Sequence, residues 1–152
     1  MTLELKVPPV LLTGLTAVSM WLVSKVTTPV FPAEATRVIA AALLVASSGV
    51  IGLAGVTAFH KAKTTVNPLT PGACSILVES GVYRFTRNPM YLALVTALIG
   101  WALYLGSPWT LIPIAAFVLY IDHFQIRPEE RALESAFGPA FQNYKSKVRK
   151  WL

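Results

Sequence analysis

Two polar segments hold the residue types from which a chemical site can be built. The first, LVESGVYRFTRNPMYL, runs from Leu77 to Leu92 and carries Gly81, Tyr83, Arg87, Asn88, Pro89 and Tyr91. The second, RPEERALESAFGPAFQNYKSKVRKWL, runs from Arg127 to Leu152 and opens on the adjacent carboxylates Glu129 and Glu130. Adjacent carboxylates suit proton transfer or the holding of a cation, and an arginine such as Arg87 suits the orienting of an anionic group. Each feature alone has an ordinary structural explanation. Asn88 and Pro89 fit the cap and first turn of a helix, and acids are favoured at a helix start. Other chemistries find no support: there is no GxGxxG loop, no Ser/His/Asp set and no His/Cys/carboxylate cluster with metal-ligand spacing. Asp122 and His123, where the fourth apolar run ends, are second-rank candidates.

The elements that must position these residues are apolar. The 152-residue chain is 55% hydrophobic and 13% charged, with a mean hydropathy of +0.60. A soluble domain carries about 25% charged residues, so a bilayer is the expected solvent. Four runs read as transmembrane helices: Pro8 to Val26, Ala35 to Phe59, Leu92 to Leu105 and Trp109 to Ile121, with a Thr/Pro turn over Thr27 to Pro32. Gly106-Ser107-Pro108 joins the last two as a tight hairpin. The first run follows Lys6 as a secretory signal would, but it is long and no small-x-small cleavage site follows, so it reads as a retained helix. Ala42, Ala46, Gly49, Gly52 and Gly55 of the second run lie inside an apolar stretch, where small residues let helices approach closely; they are not a phosphate-cradling loop. The expected class is therefore an all-α integral membrane protein of about four transmembrane helices with cytoplasmic amphipathic helices at its C-terminal end.

In that tail Glu129 to Phe137 reads as one helix, Gly138 as its C-terminal cap and Pro139 as the first position of the next. Phe141, Tyr144, Val148 and Trp151 then form one apolar stripe at helical spacing among Lys145, Lys147, Arg149 and Lys150. Such a helix suits the headgroup plane or the protein's own cytoplasmic face. Of 13 Lys+Arg, all but Lys25 and Arg37 fall on the side that holds the N-terminus, residues 61–88 and the tail. The positive-inside rule makes that side cytoplasmic. The net charge of +6 is thus assigned to lipid headgroups rather than to nucleic acid. Cys74 is the single cysteine, which excludes an intramolecular disulfide and a thiolate metal cluster.

The two segments together resemble the isoprenylcysteine carboxyl methyltransferase and phospholipid methyltransferase superfamily. Its Gly-x-Tyr-x-x-x-Arg-His/Asn-Pro-x-Tyr pattern is matched by Gly81, Tyr83, Arg87, Asn88, Pro89 and Tyr91. Its Glu-Glu-x-x-Leu, Phe-Gly, tyrosine and basic-aromatic sequence is matched by Glu129, Glu130, Leu133, Phe137, Gly138, Tyr144, Val148 and Trp151. Thr64 to Pro68 is similar to an upstream stretch. The likeness covers about residues 55 to 152. Asn88 stands where many members have His, and Phe141 where a tyrosine is frequent. The resemblance implies a methyltransferase with a pocket for S-adenosylmethionine, which leaves as S-adenosylhomocysteine, roofed by the tail and open to the bilayer. Glu129 and Glu130 would meet the cofactor's amine, amides near Leu77, Val78 and Asn88 its carboxylate, and Tyr83 and Tyr91 its adenine or sulfonium, with Gly81 and Pro89 shaping the turn. Arg87, Tyr91 and Glu130 are the expected catalytic residues, and no metal is expected.

One membrane domain follows: two helices over 1–60, a cytoplasmic cofactor segment over 61–91, a transmembrane hairpin over 92–121 and cytoplasmic helices over 122–152. Its partners would be the bilayer and a lipophilic or small amphipathic methyl acceptor: a prenylcysteine carboxylate, a phospholipid amine or a thiol. A small four-helix transporter would want an ionisable residue in mid-bilayer as its coupling site, and the first three runs carry none at mid-depth. A non-catalytic scaffold would need neither RNPMY nor the Glu pair.

Overall fold

The computed structural model describes residues 4–30, 34–62 and 76–152. Thr64 to Pro68, Cys74 and the end of the Thr/Pro turn lie outside these described residues. Helix α1 spans Pro9–Lys25, α2 Glu34–Lys61, α3 Pro89–Leu105, α4 Leu111–Ile121, α5 Arg127–Phe137 and α6 Pro139–Lys147. The described residues contain no strand, as the long apolar runs lead one to expect.

Local chemistry explains these helices. Pro9, Pro89 and Pro139 each stand at a helix start, where no amide hydrogen is required. In α1 the hydroxyls of Thr13 and Thr16 donate to the carbonyls of Pro9 and Leu12, each at 2.8 Å. An apolar helix can therefore carry them without an orphaned polar group. Gly106 ends α3 in the left-handed region at φ 74°, and Thr110 donates to the Ser107 carbonyl at 2.6 Å to close the hairpin turn.

Helices α4 and α5 do not break at Ile121. A π-helical turn, Asp122–Ile126, carries the chain through as one helix, Pro108–Phe137. Two interactions hold the wide turn: Asp122 pairs with Arg127 at 2.8 Å, five residues on, and buried Gln125 donates through Nε2 to the Val7 carbonyl at 2.8 Å. Glu34–Lys61 and Pro108–Phe137 are long and apolar enough to cross a membrane. Pro9–Lys25 and Pro89–Leu105 are shorter, about 25 Å at 1.5 Å per residue. Large outward side chains on α1 and α2, including Leu11, Leu15, Leu43 and Leu53, are exposed. An apolar exterior of this extent suits lipid.

Met20, Leu98, Ala102, Ile114, Phe117 and Ile121 form the core between α1, α3 and α4. Helix α2 packs on α3 through small residues. A Cβ on Gly100 would lie 3.1 Å from the Ala41 carbonyl oxygen and 3.2 Å from the Leu44 Cβ, whereas one on Gly55 would meet the Met90 Cγ at 3.2 Å. A backbone oxygen cannot yield as a methionine can. Gly100→Ala should therefore destabilise by about 1–3 kcal/mol. Gly55→Ala should come out near neutral, because alanine favours helix by up to about 1 kcal/mol. Thermal unfolding in detergent checks this, and equal losses at both positions would contradict the contact.

The charged segments gather at one end of the bundle. There Leu5 donates its amide to the Phe124 carbonyl at 3.0 Å, Arg131 pairs with Glu4 at 2.8 Å, and Ala58 of α2 packs with Val78 and Tyr83. At the other end Thr27 meets Ser107 at 2.7 Å and the Val30 amide donates to Gly106 at 3.1 Å. One expectation fails in the tail. Helix α6 stops at Lys147 and Val148 is extended, so Val148 and Trp151 do not continue the helical stripe of Phe141 and Tyr144. The reason lies in what the carbonyls beyond Lys147 bind.

Candidate active site

The turn Gly81–Arg84, with Gly81 at φ 64°, presents buried Tyr83 edge-on to Phe59 of α2, ring centroids 5.4 Å apart. Tyr144 of α6 donates its hydroxyl to the Tyr83 carbonyl at 2.7 Å. This bond brings the last helix over the turn.

The residues from Thr86 to Asn88 bind the tail rather than stand free. The Arg87 guanidinium donates through Nε and Nη2 to Glu130 Oε1 at 3.1 and 2.7 Å, and through Nη1 to the carbonyls of Lys145 at 3.2 Å and Val148 at 2.5 Å. Four of its five N–H donors are thereby used. The Arg87 amide donates to the Arg149 carbonyl at 3.0 Å, and Thr86 Oγ1 and Asn88 Nδ2 both donate to the Lys150 carbonyl, at 3.2 and 3.0 Å. A cation at the carbonyl end of a helix also meets its negative dipole end. These contacts account for the straightening after Lys147: strand-like carbonyls reach the Arg-Asn pair where helical ones would be turned inward. Asn88 does hold the cap position of α3, but its side chain makes no capping bond. Its backbone amide instead donates to the Thr86 hydroxyl oxygen at 3.2 Å.

Below this latch lies a cavity of about 470 Å³, within the usual 300–1,000 Å³ or so of small-molecule sites. Of the expected residues, Leu77, Val78, Tyr83, Arg87, Asn88, Tyr91, Glu129 and Glu130 line it. Two do not. Gly81 lines a separate shallow depression with Glu79 and Arg84, and Pro89 is buried beside Gly55 in the α2–α3 seam. The other wall went unread in the sequence: Pro9 and Val10 of α1, Ser48, Gly52, Val56 and Phe59 of α2, and Met90, Ala93 and Leu94 of α3. The spacing of Ser48, Gly52, Val56 and Phe59 puts them on one helical face. That was the available signal, and Gly52 serves both the packing and the cavity. Asp122 and His123 do not line it; Asp122 binds Lys150 and Arg127, and His123 packs against Phe124.

Burial sets the electrostatics. Glu129 accepts the Tyr91 hydroxyl, and burial pushes its carboxyl up to about 8, opposed by that hydrogen bond and helped by the Glu130 charge. Burial also raises the Tyr144 phenol, against the Arg87 charge and with a small push from Glu79. Asp122 moves the other way: burial would raise it, but the hydrogen bonds from Lys150 and Arg127 prevail and lower it. Among the described residues no group of three His, Cys, Asp or Glu side chains is placed to hold a metal ion. What the cavity offers is two carboxylates, aromatic rings and an apolar floor.

The model of the phospholipid methyltransferase family matches residues 36–140, more than half the chain. An uncharacterized protein of Haemophilus influenzae is 46% identical over 63 residues, 41% of this chain and the whole of that protein. The protein-S-isoprenylcysteine O-methyltransferase of Saccharomyces cerevisiae is 39% identical over 74 residues, 48% of this chain but 30% of the yeast enzyme. No solved structure matches. With its apolar helices and both motif segments around one cavity, the chain belongs to the phospholipid methyltransferase family, in the superfamily shared with the isoprenylcysteine methyltransferases, and is a membrane methyltransferase.

Proposed function

We propose that this protein transfers the methyl group of S-adenosylmethionine to a lipophilic or small amphipathic acceptor in the cavity beneath the tail. The observation that carries the reading is that Arg87, Asn88 and Tyr91 from one segment and Glu129 and Glu130 from the other line one cavity. The residues fit the cofactor. Glu130, held through Oε1 by Arg87 at 2.7 Å, has only the longer 3.9 Å contact with Lys145 at Oε2, the oxygen that would meet an ammonium; amides near Leu77 and Val78 suit a carboxylate; and the faces of Tyr83 and Tyr91 suit a cation. When bound, the sulfonium supplies an electrophilic methyl carbon. Pro9, Val10, Gly52, Val56 and Leu94 supply an apolar wall for a hydrocarbon portion of the acceptor and keep water from the reacting atoms.

In this reading α1 to α4 cross the bilayer four times, α1 and α3 with local thinning, and the end bearing the tail and the Arg-Asn-Pro turn faces the cytoplasm by the positive-inside rule. The site is organised as four segments: the helices of 1–60, the cofactor segment 61–91, the hairpin 92–121 and the tail 122–152. Candidate acceptors are a phospholipid, as the family's name has it, the prenylcysteine carboxylate of the yeast relative's name, and a thiol.

S-adenosylhomocysteine tests the assignment by thermal shift and calorimetry in detergent. It should stabilise the protein, by about 2.7 kcal/mol at a hundredfold excess over Kd, and Glu130→Ala should weaken that effect. Absence of any shift in the parent protein removes the cofactor reading.

A further inference from the structure

We propose that Arg37 binds the phosphodiester of a phospholipid in the leaflet opposite the tail, at a fixed site separate from the methyl-transfer cavity. The site rests on the four-crossing reading above. Of the 13 Lys and Arg side chains, that reading leaves only Lys25 and Arg37 on this side, and they differ in what they already meet. The Lys25 ammonium stands 5.1 Å from the ring centre of Trp21. The Arg37 guanidinium makes no hydrogen bond or ion pair with any described residue, and its Nε is enclosed without an acceptor. Enclosing part of a permanent cation costs free energy unless an anion meets the rest of it.

The fold holds this cation in one place. Arg37 lies on the first turn of α2, and its guanidinium crosses the hairpin between α3 and α4. A Cβ on Gly106 would sit 1.8 Å from Nη1 and 3.0 Å from Cζ, with the Pro29 Cβ at 3.3 Å. Only a residue without a side chain leaves that room, and the left-handed φ of 74° at Gly106 favours the same residue. The hairpin is fixed in turn by the Thr27–Ser107 bond and by the Val30 amide on the Gly106 carbonyl. Arg37 as a whole stays partly exposed, so the donors left for a ligand are those of its terminal Nη atoms. Two parallel N–H bonds to a phosphate are the pairing that a guanidinium makes best.

Depth says where the phosphate comes from. Helices α1 and α3 have 17 residues each, about 25 Å, and a hydrocarbon core is about 30 Å thick. Headgroups must therefore come down to the hairpin, which is the level of Arg37. Trp21, Tyr104 and Trp109 stand exposed at this same end, as interfacial aromatics do. The exposed Val38 and Ile39 beside Arg37 offer apolar surface that acyl chains cover and a free phosphate does not. The occupant is thus a lipid, read by its phosphodiester and not by its headgroup.

The test uses the full-length protein in dodecyl maltoside, which carries no phosphate, with and without dioleoylphosphatidylcholine. Without lipid, Arg37→Gln should melt at or slightly above the parent, because it removes a cation that no described residue pairs. With lipid the order should reverse, and the variant should melt several degrees below the parent. Lys25→Gln should keep the parent's lipid response. Native mass spectrometry should show one phosphatidylcholine retained by the parent, about tenfold less by Arg37→Gln and an intermediate amount by Arg37→Lys, whose ammonium holds phosphate as a point charge. Dioleoylglycerol, with the same chains and no phosphate, should not be retained, and inorganic phosphate alone should not shift the midpoint. An arginine that merely packs on Gly106 would lower stability in both media when replaced, and that result would overturn the proposal. So would a parent that retains no lipid, equal retention by parent and Arg37→Gln, retention of dioleoylglycerol, or a shift from inorganic phosphate equal to that from the lipid. Release of the parent from membranes by alkaline carbonate would instead bring down the crossing reading, and the lipid site with it.

Discussion

Replacing Arg87 with alanine should unfold the tail from the cavity and lower thermal stability on the order of 10 °C. The Arg87 guanidinium clasps that tail through Glu130 and the end of α6. Its side chain is 9% exposed and that of its partner Glu130 is 14% exposed, so the pair is well out of water. Breaking such a pair from one side leaves an uncompensated charge, at about 3–5 kcal/mol, and a domain of this size loses about 2–4 °C per kcal/mol. The same change frees the carbonyls of Lys145 and Val148. Arg87→Lys should recover little, because an ammonium cannot reproduce a planar fork aimed at a carboxylate and two carbonyls at once. Arg87→Ala combined with Glu130→Ala should cost less than the sum of the two, since removing both charges removes the orphan. Stabilisation by S-adenosylhomocysteine should disappear in Arg87→Ala, with methyl transfer reduced at least a hundredfold. A parent-like melting temperature for Arg87→Lys would show that the fork is not needed, and additive losses in the double variant would show that the pair is not coupled.

These expectations place Arg87 in a different role from the one its sequence suggests. Arginine before Asn-Pro, near two glutamates, reads as a cation for an anionic substrate; in the fold it is chiefly the clasp between Glu130 and the end of α6. The sequence could not separate the two readings, because both need the same residue at the same place. The helices themselves were legible, since long apolar runs between turn residues admit few alternatives, and Pro139 after Gly138 marks the α5–α6 joint by local sterics alone. Illegible were the features decided by tertiary contacts. The π-helical turn at Asp122–Ile126 depends on Gln125 reaching Val7, more than a hundred residues away. The extended Val148 depends on carbonyl partners at Thr86, Arg87 and Asn88. The α2 wall of the cavity was hidden for another reason: Ser48, Gly52, Val56 and Phe59 carry no chemistry of their own, and their role is shape.

Glu129 gives the second large effect, and it appears without any ligand. Its carboxyl sits near 8 in the folded protein against about 4.5 ordinarily. Between those values the folded chain keeps a proton that the unfolded chain has lost, so unfolding releases a proton and rising pH favours unfolding. Its contribution is therefore complete below about pH 4.5, declines through pH 8 and is constant above. The ceiling is about 1.4 kcal/mol per pH unit. Unfolding midpoints in detergent should fall by several degrees from pH 5 to pH 8. Asp122 has the opposite sign, because its lowered carboxyl stabilises above the ordinary 3.8 and fails only as pH drops below it, outside this window. Glu129→Gln mimics the protonated acid and keeps an acceptor for the Tyr91 hydroxyl, so its melting temperature should match the parent's near pH 5 and exceed it at pH 8. An unchanged slope in that variant would mean that Glu129 is ionised throughout, and the carboxylate facing the cavity would then be an ordinary surface acid.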